Sequence, residues 1–200
     1  SILTAWTKDK ENWEENMPQV PPLFQHSSSA VVAKALWLFG EMGLLFPHRT
    51  TPFVPAIVEM MKDENDKIRE RAVGALGRIG RGDGSIVYPY IDRMMEKASD
   101  GAPLVRMNCI WAAENIATRH PEACAAHMDH FAALLEDTSI RVRIEAPEIF
   151  RVVAKQRPDM VLPYLEILRL ISLSDEDRVV RIHCAGALKA AMANRSQPSP

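Results

Sequence analysis

Four side chains of the types that bind metals lie close together in residues 120–130. They are His120, Cys124, His127 and His130. Imidazole nitrogens and thiolates are preferred ligands of zinc, and on a continued helix these groups would lie roughly on one side. Pro121 predicts, however, that His120 lies outside the helix, and Cys124 falls on the expected buried stripe. We therefore expect structural or surface residues, with a metal site as the alternative.

Motifs for catalysis are missing from the sequence. It has no Gly-x-Ser-x-Gly turn, no P-loop, no Gly-x-Gly-x-x-Gly segment between a strand and a helix, and no His-Glu-x-x-His. Glu145 and Glu148 are spaced i, i+3 on one helical face, but most such carboxylates are solvated. We expect no enzymatic activity, no cofactor and no bound metal.

An aspartate and an arginine recur together, six residues apart. The arginine returns after 37, 37 and 38 residues, and each is preceded by Val or Ile. A fixed period of this length indicates an internal structural repeat. The pairs are Asp63/Arg69, Asp100/Arg106, Asp137/Arg143 and Asp175/Arg181.

Each period holds two apolar patterns at helical spacing, the first of them often containing proline. Two-helix units stacked side by side predict an all-α fold, a right-handed α-solenoid of about five repeats. We expect a single domain over residues 1–192, with an N-terminal cap at 1–17 and a flexible tail at 193–200. The repeats are expected near residues 14–47, 51–82, 85–119, 121–156 and 158–192.

The expected cap carries Ile2, Leu3, Trp6 and Trp13, which could cover the apolar helix that follows. Solenoid ends need such cover because the last apolar face has no neighbour. The alternatives are a docking segment for a partner and the remnant of a longer array.

This repeat resembles the HEAT-repeat family, in the short variant that bilin lyase-type proteins carry. The resemblance rests on the Asp-x5-Arg pairs, the Val or Ile before each arginine and the Ala/Leu/Ile pattern after it, over about residues 14–192. It implies that the four aspartates and four arginines form a hydrogen-bonded ladder between neighbouring repeats.

The resemblance also implies a concave groove lined by the second helix of each repeat. We expect partner-binding residues at Trp37, Arg71, Arg78, Asn108, Trp111, Glu114, Glu145 and Glu148. Other side chains facing this groove would be Lys34, Glu41, Asn115, Arg151, His183 and Lys189. The groove is therefore mixed in sign.

Trp37 and Trp111 occupy the same position in repeats 1 and 3, with Gly74 at that position between them. If exposed, the two rings would flank a gap able to anchor an apolar side chain, and Trp and Arg often carry binding energy at interfaces. The alternative is that both rings pack between helices.

The bulk composition narrows the class of partner. The chain has 200 residues, 47% of them hydrophobic and 25% charged, with a net charge of −2. A dedicated nucleic-acid binder would usually show a basic excess. No apolar run reaches the ~20 residues that span a bilayer, and the first residues lack the basic start of a signal peptide. We expect a cytoplasmic protein without a membrane partner.

The sequence thus predicts a non-catalytic scaffold that binds a protein or peptide along its concave face. The alternative is an enzyme-accessory or bilin lyase-like protein. Nucleic-acid binding of the kind found in some HEAT-like DNA-repair glycosylases is less favoured, because the groove is mixed in sign. The oligomeric state stays open.

Overall fold

The computed structural model describes residues 2–193, which fold into α-helices and short 3-10 turns without a β-strand. Two compact units make up the chain, Ser1–Met94 and Met95–Pro200. The division falls inside the predicted third repeat, and the single domain over 1–192 stays a prediction. No helix in the described range is long and apolar enough to cross a membrane.

The first unit is built around α3 (Ser29–Leu45) and α5 (Asp66–Gly82). The two helices lie very close together, because a Cβ atom on Gly40 would come within 2.7 Å of the Cα atom of Ala75. The shorter helices are α1 (Ile2–Lys8), α2 (Trp13–Asn16), α4 (Val54–Met60) and α6 (Ile91–Met95), the last of which ends at the division.

The N-terminal segment packs against its own chain. Helix α1 contacts α3, and Lys34 Nζ on α3 donates a hydrogen bond to Thr4 Oγ1. Trp6 and Trp13 are both buried, and the indole N–H of Trp13 donates to the carbonyl oxygen of Trp6 at 2.7 Å. Within residues 2–17, the part of the predicted cap that the structure describes, the large aromatic rings are thus shielded from water.

The second unit consists of α7 (Pro103–Ala117) followed by two helix pairs. Helix α8 (Met128–Leu134) packs on α9 (Ile140–Ala154), and α10 (Leu165–Ser174) packs on α11 (Arg178–Ala193). Helix α9 also contacts both α7 and α11. The second helices of successive repeats therefore lie side by side, with α9 in the middle.

The first helix of each pair starts with a 3-10 turn that contains proline. Proline has no N–H to donate and clashes with the preceding helical turn, so an α-helix starts only after it. These turns are Pro47–Phe53, Pro121–His127 and Pro158–Tyr164, ahead of α4, α8 and α10. The first helices are consequently short, 7 to 10 residues, whereas the second helices have 15 to 17.

All three cysteines, Cys109, Cys124 and Cys184, are buried and free. Burial raises the pKa of the thiols of Cys124 and Cys184 to about 12, because the thiolate would lose its hydration. The pKa of Cys109 is raised for the same reason. These thiols are therefore protonated and unreactive at neutral pH.

The C-terminal end of the described chain is helical. Ala193, the first residue of the predicted flexible tail at 193–200, is the last residue of α11. Residues 194–200 lie outside the described residues.

Candidate functional site

The aspartate ahead of each second helix turns the chain in the same way. Its Oδ1 accepts a hydrogen bond from the backbone N–H two residues later, at 2.7–2.9 Å. The arginine six residues later donates through Nη1 to the carbonyl oxygen of the same aspartate. The pairs with this geometry are Asp63/Arg69, Asp100/Arg106, Asp137/Arg143 and Asp175/Arg181.

In the second unit, two of these arginines also reach the next repeat. Arg106 donates through Nε and Nη2 to the two carboxylate oxygens of Asp137, both at 2.7 Å. Arg143 donates to Asp175 at 3.0 Å and to Glu176 at 3.1 Å. Charge-assisted, forked hydrogen bonds of this kind fix orientation as well as distance. Their role in the second unit is therefore to hold successive repeats in register.

Arg69 differs from the predicted ladder and corrects it. The ladder was expected to join neighbouring repeats, but Arg69 and Asp63 lie in the same repeat and pair through the backbone. Arg69 Nη1 donates to the carbonyl oxygens of Asp63 at 2.9 Å and of Glu64 at 3.1 Å. The Asp63 carboxylate instead accepts from the backbone N–H of Asn65. The next ladder aspartate belongs to the second unit, so a link from Arg69 to the following repeat stays a prediction.

A cavity of about 410 Å³ opens beside Trp37 in the first unit. We call it the Trp37 cavity. Its lining combines an indole ring and two alanine methyl groups with three cationic side chains. The residues are Ala30, Ala33, Lys34, Trp37, Lys67 and Arg71. An apolar cavity with a few charged groups is the usual form of a binding site.

The cations of the Trp37 cavity outnumber their carboxylate partner. Glu70, only 6% exposed, accepts a hydrogen bond from Lys67 Nζ at 2.6 Å and lies 3.8 Å from Arg71 Nε. Lys34 instead donates to the neutral hydroxyl of Thr4. The excess of positive charge favours a ligand that brings an anionic group.

In the second unit, Trp111 lies against an acidic side chain of the next helix. Its ring is 39% exposed, and its Nε1 donates to Glu145 Oε2 at 3.1 Å. Glu148, one turn further along α9, accepts from Arg151 Nε at 2.6 Å and lies 3.3 Å from His183 Nδ1 on α11. The Trp111 surface comprises these residues and Glu114.

Glu114 is the carboxyl of this surface whose ionisation is most opposed by its surroundings. Burial raises its pKa to about 8, the charges of Glu148 and Glu145 add to the rise, and Arg151 opposes it. Its Oε1 atom is buried and has no hydrogen-bond partner among the described residues. Glu114 is therefore largely protonated at neutral pH, and an approaching cation would favour its ionised form.

The structure places most of the predicted groove residues on these two surfaces, but two differ. Arg78 forms an ion pair with Glu41 and donates to the carbonyl oxygen of Gly74. Asn108 is not presented to a partner, since it is 6% exposed and its Nδ2 donates to the carbonyl oxygen of Leu104 at 3.0 Å. A short amide can be satisfied by its own helix, which the longer side chains of the equivalent residues do not do.

The two tryptophans are best described separately. Trp111 is exposed, which rules out the alternative that it packs wholly between helices. Trp37 is partly exposed and lines a cavity made by residues of the first unit alone.

Sequence reasoning missed Lys67 and Glu70 at the Trp37 cavity. The signal was available, because Lys67 lies three residues before Glu70 and four before Arg71, and side chains at these spacings meet on a helix.

The histidine and cysteine cluster is dispersed by the fold. Cys124 and His127 are buried, whereas His130 is exposed. The rings of His127 and His130 lie 5.8 Å apart, centre to centre. Across residues 2–193 no group of three His, Cys, Asp or Glu side chains is arranged to hold a metal ion.

Solved structures of similar fold are repeat proteins. An engineered protein from a structural genomics programme aligns with a TM-score of 0.73 and 16% identity, covering 96% of this chain and 85% of that one. A designed armadillo repeat protein in complex with the peptide (KR)4 aligns with a TM-score of 0.72 and 19% identity, over 90% of this chain and 86% of that one.

The complex of CpcE and CpcF of phycocyanin lyase from Nostoc sp. is also similar. Its TM-score is 0.65 at 18% identity, over 86% of this chain and 98% of the matched one. At these identities the likeness concerns the fold alone. It confirms the predicted all-α class of solenoid repeats and the HEAT-like character of the repeat.

Sequence comparison identifies the family. No curated protein sequence matches the chain. A family model described as "Sister chromatid cohesion protein PDS5 protein" matches residues 23–196, which is most of the sequence. The chain therefore belongs to the PDS5 family of sister chromatid cohesion proteins.

Proposed function

We propose that this chain is a non-catalytic scaffold that binds a protein partner through the Trp37 cavity and the Trp111 surface. The observation that carries the proposal is the Trp37 cavity. Two residues expected from the sequence to bind a partner, Trp37 and Arg71, line one open cavity there. Trp and Arg are the residue types that most often dominate binding energy at protein interfaces.

The composition of the Trp37 cavity suggests what it binds. An apolar side chain of the partner would pack against Trp37 and the methyl groups of Ala30 and Ala33. An Asp or Glu next to it in the partner would pair with Arg71 or Lys34. The cavity thus suits a peptide segment that is both apolar and acidic.

The Trp111 surface suits the opposite charge. Glu114, Glu145 and Glu148 lie around an exposed indole, and a Lys or Arg of the partner could pair with the carboxylates and stack on the ring. A designed armadillo repeat protein of similar fold binds the peptide (KR)4, which supports a basic segment as the occupant of this surface.

The family description gives the setting in which to look first. It names sister chromatid cohesion, and we propose that the partner is a protein of that process. The binding surfaces themselves point to a protein segment and carry no information on the process.

The experiment is affinity capture from a cell lysate followed by mass spectrometry. The wild type is compared with Trp37→Ala and Arg71→Ala, and with Arg93→Ala as the matched control. Arg93 is in the same unit but pairs with Glu59, away from the cavity. We expect both cavity variants to lose a protein that the wild type and the control retain, while circular dichroism shows that all four are folded.

Other outcomes would redirect the proposal. If all variants retain the same proteins, the Trp37 cavity is not the binding site. Visible absorbance of the purified protein would instead support the bilin lyase-like alternative. Capture that disappears after nuclease treatment would support nucleic-acid binding.

A further inference from the structure

The last helix pair exposes apolar side chains at positions that are buried in the preceding repeats. Leu173 lies two residues before the ladder aspartate and is 71% exposed, whereas the equivalent Ala98 and Leu135 are 3% and 1% exposed. Met192 is 64% exposed, whereas the equivalent Ala117 and Ala154 are fully buried. Where another repeat follows, these positions belong to the core.

The same end of the molecule carries an arginine with unused donors. Arg106 and Arg143 donate through Nη1 to their own repeat and through Nε and Nη2 to acidic side chains of the next. Arg181 makes the Nη1 contacts, to the carbonyl oxygens of Asp175 and Glu176. Its Nε and Nη2 atoms have no acceptor among the described residues.

We propose that the exposed face of α10 and α11 is a docking surface for a HEAT-type two-helix repeat of a partner protein, with an acidic side chain that pairs with Arg181. The surface consists of Leu170, Leu173, Ile182, Ala185 and Met192 together with Arg181. It is separate from the Trp37 cavity and from the Trp111 surface, so this inference does not depend on the proposed function.

Charge complementarity selects this occupant over a second copy of the chain. Two such faces packed together around a twofold axis would bring Arg181 close to its own symmetry mate, which is a repulsive contact. In a head-to-tail contact, the first repeat offers His26 where later repeats have the ladder aspartate. Residues 194–200 contain no Asp or Glu and supply no acidic side chain either.

The experiment attaches a test repeat covalently, because a single repeat cannot bury its own apolar face in isolation. Residues 193–200 are replaced by a second copy of residues 155–193. The copied aspartate then follows Arg181 by 32 residues, the distance from Arg143 to Asp175. Circular dichroism and urea denaturation are measured for the original and the extended chain.

We expect the added residues to be helical, so that the ellipticity per residue is retained and the urea midpoint rises. Asp→Asn at the copied aspartate should lower that midpoint. The same change should have no effect in an Arg181→Ala background, and its full effect in an Arg169→Ala background, since Arg169 pairs with Glu166 within α10. Leu173→Lys should abolish the gain from the extension while leaving the original chain as stable as before.

Three results would overturn the inference. The first is an extension that remains unfolded. The second is an Asp→Asn effect that is the same with and without Arg181, because the acidic residue would then not pair with this arginine. The third is a dimer of the original chain, seen by light scattering and dissolved by Leu173→Lys, because the occupant would then be a second copy.

Discussion

Arg106 and Arg143 divide their donors between two tasks. One nitrogen closes the turn ahead of the arginine's own helix, and the other two bind the next repeat. The side chain of Arg106 is 12% exposed and that of its partner Asp137 is 7% exposed. Removing the cation would leave an almost buried carboxylate without its counter-charge.

The first prediction concerns this pair. Arg106→Ala should lower the free energy of unfolding by about 3–5 kcal/mol, the usual cost of leaving one member of a buried ion pair behind. Arg169→Ala is the control, since Arg169 and Glu166 form an exposed pair on one helix, and it should cost under about 1 kcal/mol. Urea denaturation of both variants measures the difference, and equal losses would contradict the structural role.

The second prediction concerns Glu114. Its pKa is about 8 in the folded protein, against 4.5 for an unperturbed glutamate. Between these values the folded state holds a proton that the unfolded state releases, so the free energy of unfolding should fall as the pH rises from 4.5 to 8. We expect a fall on the order of 1–3 kcal/mol, the range for a poorly satisfied buried polar group.

Glu114→Gln should flatten that pH dependence, because glutamine does not titrate. Glu136→Gln serves as the control, since Glu136 is an exposed glutamate of the same unit, and its curve should match that of the wild type. Urea midpoints at pH 5, 7 and 9 provide the measurement. A Glu114→Gln curve as steep as the wild type would mean that another group titrates.

At the scale of the elements, close helix packing depends on particular glycines. A Cβ on Gly40 would come within 2.7 Å of the backbone of Ala75 on the facing helix, whereas a Cβ on Gly186 would meet nothing within 4 Å. Both glycines lie inside helices, where alanine is intrinsically the better residue by about 1 kcal/mol.

The third prediction is that the same substitution has opposite signs at these two sites. Gly40→Ala should destabilise the protein by about 1–3 kcal/mol, because α3 and α5 must move apart. Gly186→Ala should stabilise it by up to about 1 kcal/mol. Thermal melts of the two variants decide the matter, and a stabilised Gly40→Ala protein would show that α3 can shift without loss.

The elements that the sequence predicted are those set by short-range rules. The Asp-to-Arg spacing of six residues reflects a turn followed by two helical turns, and proline marks where the first helices begin. The same spacing could not tell a link between repeats, as at Arg106, from a bond within one repeat, as between Arg69 and Asp63. That difference depends on how the next repeat is seated.

The binding surfaces depend in the same way on how one helix is rotated against the next. The sequence pointed to Trp37 and Arg71, but whether they share a cavity depends on neighbours far away in the chain. Whether Glu114 loses its water is decided by such neighbours as well.

At the scale of the whole molecule, a net charge of −2 conceals two surfaces of opposite character. Cations gather at the Trp37 cavity of the first unit, and carboxylates at the Trp111 surface of the second. A partner that uses both surfaces must itself carry both signs, which disfavours a uniformly charged ligand such as nucleic acid.

The fourth prediction follows from this distribution. Capture of the partner should weaken only modestly, under about tenfold, between about 50 and 200 mM salt, since apolar contacts supply much of the affinity. A nucleic-acid complex with many phosphate contacts would lose about a thousandfold or more over that range. Repeating the capture at both salt concentrations distinguishes the two cases.

The three buried cysteines make the second unit its own reporter of breathing motions. Each thiol can be alkylated only when its surroundings open transiently, so its labelling rate in native buffer measures the local opening equilibrium. Cys109 is in α7, Cys124 precedes α8 and Cys184 is in α11. Mass spectrometry of the three labelled peptides would therefore show which repeat loosens first, without any engineered probe.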